Sequence, residues 1–225
     1  IPAILWLLKD QRIRHQTYLA ERDKERASTT PIDHYSVKDM LTEKQFYLIA
    51  PAMLTSPFLL TGFLFHQVSI FDIKNWSMTI FASGFIGLAT ASFLTSLALG
   101  PLIDRWQARN LLPFMLTPLI IALIVLNHFQ AEFFGYIYLI FLGSCFGTTF
   151  TIAGAIWPEL YGTKNLGAIK SIIKSIMVFA SALSPWVFGL LFDAGFGITQ
   201  ISYFSTGIIV LTATLAKISQ KSNGR

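Results

Sequence analysis

Two lysines carry the strongest chemical signal in the sequence. Lys170 and Lys174 stand four residues apart in a long apolar stretch, so in a helix they share one face. Counted from Leu166, Lys170 enters that stretch by about 6 Å and Lys174 by about 12 Å. Lys170 is shallow enough to snorkel to a membrane interface. An ammonium two turns deep needs a water-filled cavity, an acidic partner or an anionic solute, or else an extended snorkel. Thr61, Gln67, Thr148 and Thr149 are uncharged hydrogen-bonding residues in neighbouring apolar stretches and are candidates to share such a cavity.

A second pattern is Gly100-Pro-Leu-Ile-Asp104-Arg105-Trp-Gln-Ala-Arg109, which reads G-x-x-x-D-R-x-x-x-R between two apolar runs. It is expected to be a short, structured cytoplasmic loop, with Gly100 letting two helices approach closely and the arginines marking the inner side. Asp104 either accepts hydrogen bonds from a helix N-terminus or holds Arg105 and Arg109 locally. Glu159, on the next loop of that side, is placed to pair with Arg105 or Arg109. Such a pair is either a partly desolvated contact that biases one state or a surface ion pair worth less than ~1 kcal/mol. There is no G-x-x-x-x-G-K-[ST] loop, no H-E-x-x-H, no G-x-S-x-G elbow and no His/Cys cluster. The single cysteine, Cys145, reads as a buried small hydrophobe. No enzyme, metal site or cofactor is therefore expected.

The elements that must position these groups follow from composition. With 225 residues, 53% of them hydrophobic, and a mean hydropathy of +0.57, the chain is too apolar for a soluble domain. Its apolar residues come in blocks, which predicts an all-α, polytopic membrane protein. At about 20 apolar residues per crossing, six spans are predicted: Gln45–Phe65, Trp76–Leu99, Leu111–Phe129, Phe133–Ile156, Leu166–Phe192 and Ile198–Ala216. Residues 1–8 read as the tail of a cut transmembrane helix and 9–44 as a cytoplasmic linker. Residues 45–216 form the six-helix bundle and 217–225 a cytoplasmic tail. Within the linker, Ser36 and Asp39 have capping-box spacing ahead of a short in-plane helix.

Six crossings place every Lys and Arg of the 17 except Lys74 on or near one side, so both ends are expected to be cytoplasmic. The net charge of +5 is thereby a matter of topology, and no nucleic-acid partner is implied. Gly100-Pro-Leu-Ile-Asp104 is echoed three spans later by Gly189-Leu-Leu-Phe-Asp193, on the opposite face, as an inverted 3+3 repeat requires. Gly143, Gly147 and Gly154 in the fourth span, and Gly84 and Gly87 in the second, predict close helix packing. Trp76, Trp106 and Trp157 are expected as interfacial anchors, and His66 and His128 as solvated residues near the outer ends.

These residues resemble the C-terminal half of a major facilitator superfamily transporter. The 100–109 segment resembles that superfamily's cytoplasmic loop signature in its second-half copy. The stretch Ile156-Trp-Pro-Glu159-Leu-Tyr-Gly162-Thr-Lys-Asn-Leu-Gly167, with the span ending Pro185-Trp-Val-Phe-Gly189-Leu-Leu-Phe-Asp193, resembles the segment joining the tenth and eleventh helices of bacterial members. The resemblance covers Gln45 to Lys217; Gln107 and Ala108 stand where Gly and Arg are common. It implies helices seven to twelve of a twelve-helix protein, whose N-terminal six-helix half would be this chain's partner, with solute bound between the halves. Asp104 would clamp a helix of that half in the outward-facing state. The implied function is secondary active transport in the inner or plasma membrane, as symporter or antiporter, with a co-transported proton or ion where coupling requires one. No Asp, Glu or Arg falls well inside a span, which together with Lys174 points to a small organic anion such as a carboxylate. A proton-coupled drug-type effluxer and a non-transporting receptor of the same architecture are the alternatives.

Overall fold

A computed structural model describes residues 35–222, with side chains as far as residue 220. The apolar run 1–8, the linker up to residue 34 and residues 223–225 lie outside the described residues. In order, the helices are α1 (Val37–Thr42), α2 (Lys44–Phe65), α3 (Gln67–Lys74), α4 (Met78–Trp106) and α5 (Ala108–Leu111). A 3₁₀ turn, Leu112–Phe114, leads to α6 (Thr117–His128), α7 (Phe133–Tyr161), α8 (Leu166–Asp193) and α9 (Ile198–Ser222). Six segments are long and apolar enough to cross a membrane: α2, α4, α5 with α6 (Ala108–His128), α7, α8 and α9. The protein is an all-α, multi-pass membrane protein.

Local chemistry sets the boundaries. The Ser36 amide donates to Asp39 Oδ2 at 2.8 Å and the Asp39 amide to Ser36 Oγ at 3.2 Å, closing the expected capping box on α1. Three predicted boundaries are corrected. Helix α4 does not stop at Leu99 but runs through Gly100 and Pro101 to Trp106, so the expected ten-residue loop is mostly helix. The chain turns on the single residue Gln107, at φ 66° and ψ 143°, and α5 begins at Ala108. Helix α7 likewise continues through Pro158 to Tyr161, where Gly162 at φ 71° ends it, and α9 passes Ala216 to reach Ser222. Polarity marks where a chain leaves an apolar medium, whereas a helix continues for as long as its backbone bonds can be made. Pro113 and Pro118 fall where the third span divides into α5, the 3₁₀ turn and α6.

The packing has an internal regularity. The first span packs on the fifth and sixth, and the fourth packs on the second and third. The third also meets the sixth, and the first meets the fourth. Exchanging the first three spans for the last three maps these contacts onto themselves, and the halves run in opposite directions, as an inverted 3+3 repeat demands. The core comes chiefly from the first, third and fourth spans, through residues such as Met53, Phe63, Leu119, Leu142 and Ile152. The second and fifth spans are peripheral: Ile86, Phe93, Phe179 and Trp186 are all more than half exposed.

Glycine explains the tightest crossing. A Cβ on Gly143 would overlap the Leu88 carbonyl, and one on Gly147 the Ser92 carbonyl, so α4 and α7 touch backbone to backbone. Gly84 admits the Leu139 side chain in the same seam. Gly154 and Gly100 correct the expectation, because nothing lies within 4 Å of a Cβ built at either one.

Candidate functional site

Three hollows join end to end between α2, α7 and α8. The first, about 260 Å³, lies toward the basic end of the bundle, between Phe46, Leu54, Trp157 and Ile176. The second, about 300 Å³, shares Trp157 and Ile173 with it and is bordered by Lys170 and Lys174. The third, about 170 Å³, shares Phe150, Lys174 and Met177 with the second and reaches Thr61, Thr149 and Ser181. Helical spacing builds each wall: 150, 154 and 157 on α7 fall on one face, as do 170, 174, 177 and 181 on α8. Among the described residues no carboxylate lines any of the three hollows.

Proline gives this groove a further property. A proline lacks the amide that would bond the carbonyl four residues earlier. Pro51, Pro57, Pro158 and Pro185 lie inside α2, α7 and α8. The carbonyls they deprive belong to Tyr47, Met53, Gly154 and Ser181, and every one of those residues lines the groove. Broken helical bonding at membrane depth is tolerated where it borders a cavity or where a neighbour satisfies it. At Gly154 the neighbour is Lys170, whose ammonium donates to that carbonyl at 2.9 Å. Lys170 therefore turns into the groove, which corrects the expectation that it snorkels.

Lys174 is exposed, and its Nζ lies 5.8 Å from the centroid of the Phe150 ring, a cation–π contact. At the deep end Thr61 Oγ1 and Ser181 Oγ are 2.8 Å apart, Ser184 donates to the Phe58 carbonyl, and Ser56 bonds Thr149. These bonds tie α2 to α8 and α7. The structure thus brings Lys174, Thr61 and Thr149 together and leaves the other two cavity candidates elsewhere. Thr148 faces the third span, donating to the Met115 and Cys145 carbonyls. Gln67 starts α3, is 1% exposed, and has no amide partner among the described residues.

The basic end forms a second polar centre. Glu159 does not pair with an arginine side chain: its Oε2 accepts from the Ala108 amide at 2.6 Å and its Oε1 from the Arg109 amide at 3.3 Å. It caps α5 from another helix, at the turn where Gln107 supplies no cap of its own. Gln220 donates to the Arg109 carbonyl at 2.6 Å, so α9 grips the same turn. Asn165 donates to the Tyr35 carbonyl at 2.9 Å, and the Tyr35 ring meets Tyr161 edge-on. Asp104 and Arg105 are exposed on the last turn of α4, and among the described residues Asp104 bonds neither Arg105 nor Arg109. Of its two predicted roles, the local one is not realised.

Several residues lie deeper than expected. Trp157 is 2% exposed and stacks on Tyr161, and the buried Trp76 donates to the Gln130 carbonyl; of the three expected anchors only Trp106 is exposed. His66 is half-buried: its Nε2 lies 3.2 Å from the Pro185 carbonyl and its ring stacks on Phe188, while His128 is exposed as expected. Gln220, Gly154 and Ser181 were not predicted as site residues. For the latter two a signal existed, since each precedes a proline by four positions. No family model and no curated protein matches the sequence.

Proposed function

We propose that the chain is one six-helix half of a secondary transporter of the major facilitator type. It carries small organic anions by alternating access against a second bundle, with both ends of this segment on the cytoplasmic side. The observation that carries the reading is Lys174, a cation at membrane depth in a groove whose described walls hold hydroxyls and aromatic rings but no carboxylate. The self-mapping helix contacts support the architecture. The concentration of basic residues at one end supports the orientation. Asp104, exposed and unbonded among the described residues, suits a clamp on a helix N-terminus of the other bundle.

The test is counterflow of labelled carboxylates in proteoliposomes holding the full-length protein, with and without Lys174→Gln. Saturable exchange that falls at least tenfold in the variant is expected. Undiminished exchange in the variant would remove Lys174 from the site. Solute binding with no counterflow would identify a receptor, and exchange of cationic drugs in place of carboxylates an effluxer.

A further inference from the structure

The groove changes character along its length, and we propose that its ligand is an amphipathic monoanion. The anionic group sits at Lys174, and an apolar body lies toward the basic end against Phe46, Leu54, Trp157 and Ile176. The inference rests on the transport reading for its setting and adds to it the anatomy of the solute.

Charge is the first argument. Two charged lysines border the middle hollow, and among the described residues they are held differently. Lys170 is committed to the Gly154 carbonyl, which Pro158 has left without its helical donor. Among the described residues the contact of the Lys174 ammonium is the Phe150 ring, and an aromatic face is a partner that an incoming carboxylate can share. Lys170 keeps its charge and two N–H donors in its bond to Gly154, but a second negative charge carried along the chain toward the basic end would leave both lysines behind for an apolar wall, where an unpaired charge is costly. One negative charge at Lys174 with an apolar remainder therefore fits the described walls.

Shape and polarity supply the second argument. Toward the basic end the wall is formed by Phe46, Ala50, Pro51, Leu54, Trp157 and Ile176. The only hydroxyl there belongs to Tyr47, and it is used elsewhere, donating to the Leu41 carbonyl at 2.9 Å. In the other direction lies the smaller hollow of about 170 Å³, where the Thr61 and Ser181 hydroxyls bond each other. An apolar chain attached to a carboxylate at Lys174 thus finds the larger space toward the basic end, about 260 Å³ against about 170 Å³. Aliphatic carboxylates and arylalkanoates fit this description, whereas small dicarboxylates do not.

The test is equilibrium binding to the full-length protein in zwitterionic nanodiscs. Straight-chain carboxylates of three to ten carbons are followed by tryptophan fluorescence, since Trp157 stands where the first two hollows meet. At ~0.8 kcal/mol per buried methylene, affinity is expected to rise about fourfold per carbon and then level off when the hollow is full. Alkylammonium ions of equal length are the control for partition into lipid and are expected not to bind. Ala50→Phe fills the hollow and should flatten the length dependence. Leu54→Ala enlarges it and should move the plateau to longer chains, which keeps the test available if Ala50→Phe does not fold. Succinate binding tighter than butyrate, or the same length dependence in both variants as in the parent, overturns the proposal. Length-dependent binding without counterflow would sink the transport reading alone. Counterflow of short carboxylates with no length dependence would sink this inference alone.

Discussion

Glu159→Ala isolates one interaction that the basic end depends on. The carboxylate accepts two amides at the start of α5, one at 2.6 Å and one at 3.3 Å. Ala108, which donates the shorter bond, is fully buried in the intact fold, where this carboxylate is the acceptor for its amide. A charge-assisted bond contributes ~1.5–3 kcal/mol and a helix N-cap ~0.5–2 kcal/mol. These describe the same contacts and do not add, which puts the loss at about 2 kcal/mol. For a domain of this size that corresponds to a fall in Tm of ~4–8 °C. Glu159→Gln keeps one acceptor oxygen and loses the charge, so its fall should be about half as large. Thermal unfolding of the purified protein in detergent measures both, and hydrogen exchange at Ala108 and Arg109 localises the effect, with protection falling ~5–30-fold. A Tm for Glu159→Ala within 1 °C of the parent, or unchanged exchange at those two amides, would refute the capping argument.

Other predictions are independent of that one. Gln107→Gly should raise stability by about 1 kcal/mol, because φ 66° with ψ 143° is a conformation that glycine tolerates and other residues do not; a lowered Tm would count against it. Gly143→Ala should cost roughly 1–3 kcal/mol through its clash with the Leu88 backbone, while Gly154→Ala, facing open space, should leave Tm unchanged or raised. Lys74 is buried at the opposite end, 5.5 Å from the centroid of the Trp76 ring, and desolvation pushes its ammonium below the ordinary lysine range. Folding therefore penalises the charged form: the penalty is in full force below the folded pKa and is relieved as pH rises through it toward the unfolded value. Lys74→Met should be more stable than the parent at pH 7, with the gap narrowing as pH approaches 10.5, and a gap independent of pH would show that the charge is not its cause.

The sequence announces the six spans because a membrane-length apolar block has few other uses, and positions such as Lys44 and Phe133 mark helix starts within a residue. It announces the capping box for a similar reason, since a serine and an acid three apart interact locally. Contacts made by the backbone are harder to read. Glu159 lies near two arginines in any charge map, and side-chain types do not reveal that the amides of Ala108 and Arg109 outcompete them. Gln220 lies in a stretch that hydropathy assigns to a tail, although helix α9 carries it back to the Arg109 carbonyl. The groove was half visible. Lys174, Thr61 and Thr149 stand out as polar residues in apolar helices, while Phe150, Trp157 and Gly154 look like ordinary packing until the helices are assembled. Thr148 and Gln67 show the limit from the other direction, because periodicity does not say which neighbour a helix face will meet.

The unbroken course of α4 has a mechanical consequence. Its backbone bears on α7 at Leu88 and Ser92, and beyond that bearing the helix continues to Asp104, ~18 Å further along. Turning the rod by about 10° about the bearing swings its tip through ~3 Å, the length of a hydrogen bond. By the exchange that maps the two halves onto each other, α8 is the matching rod. It bears on α2 where Gly62 leaves room for Ser184 and Phe188, and its tip, Asp193, points to the other end of the bundle. Two such rods, crossing their neighbours at glycines, carry acidic C-terminal turns to opposite ends of the bundle.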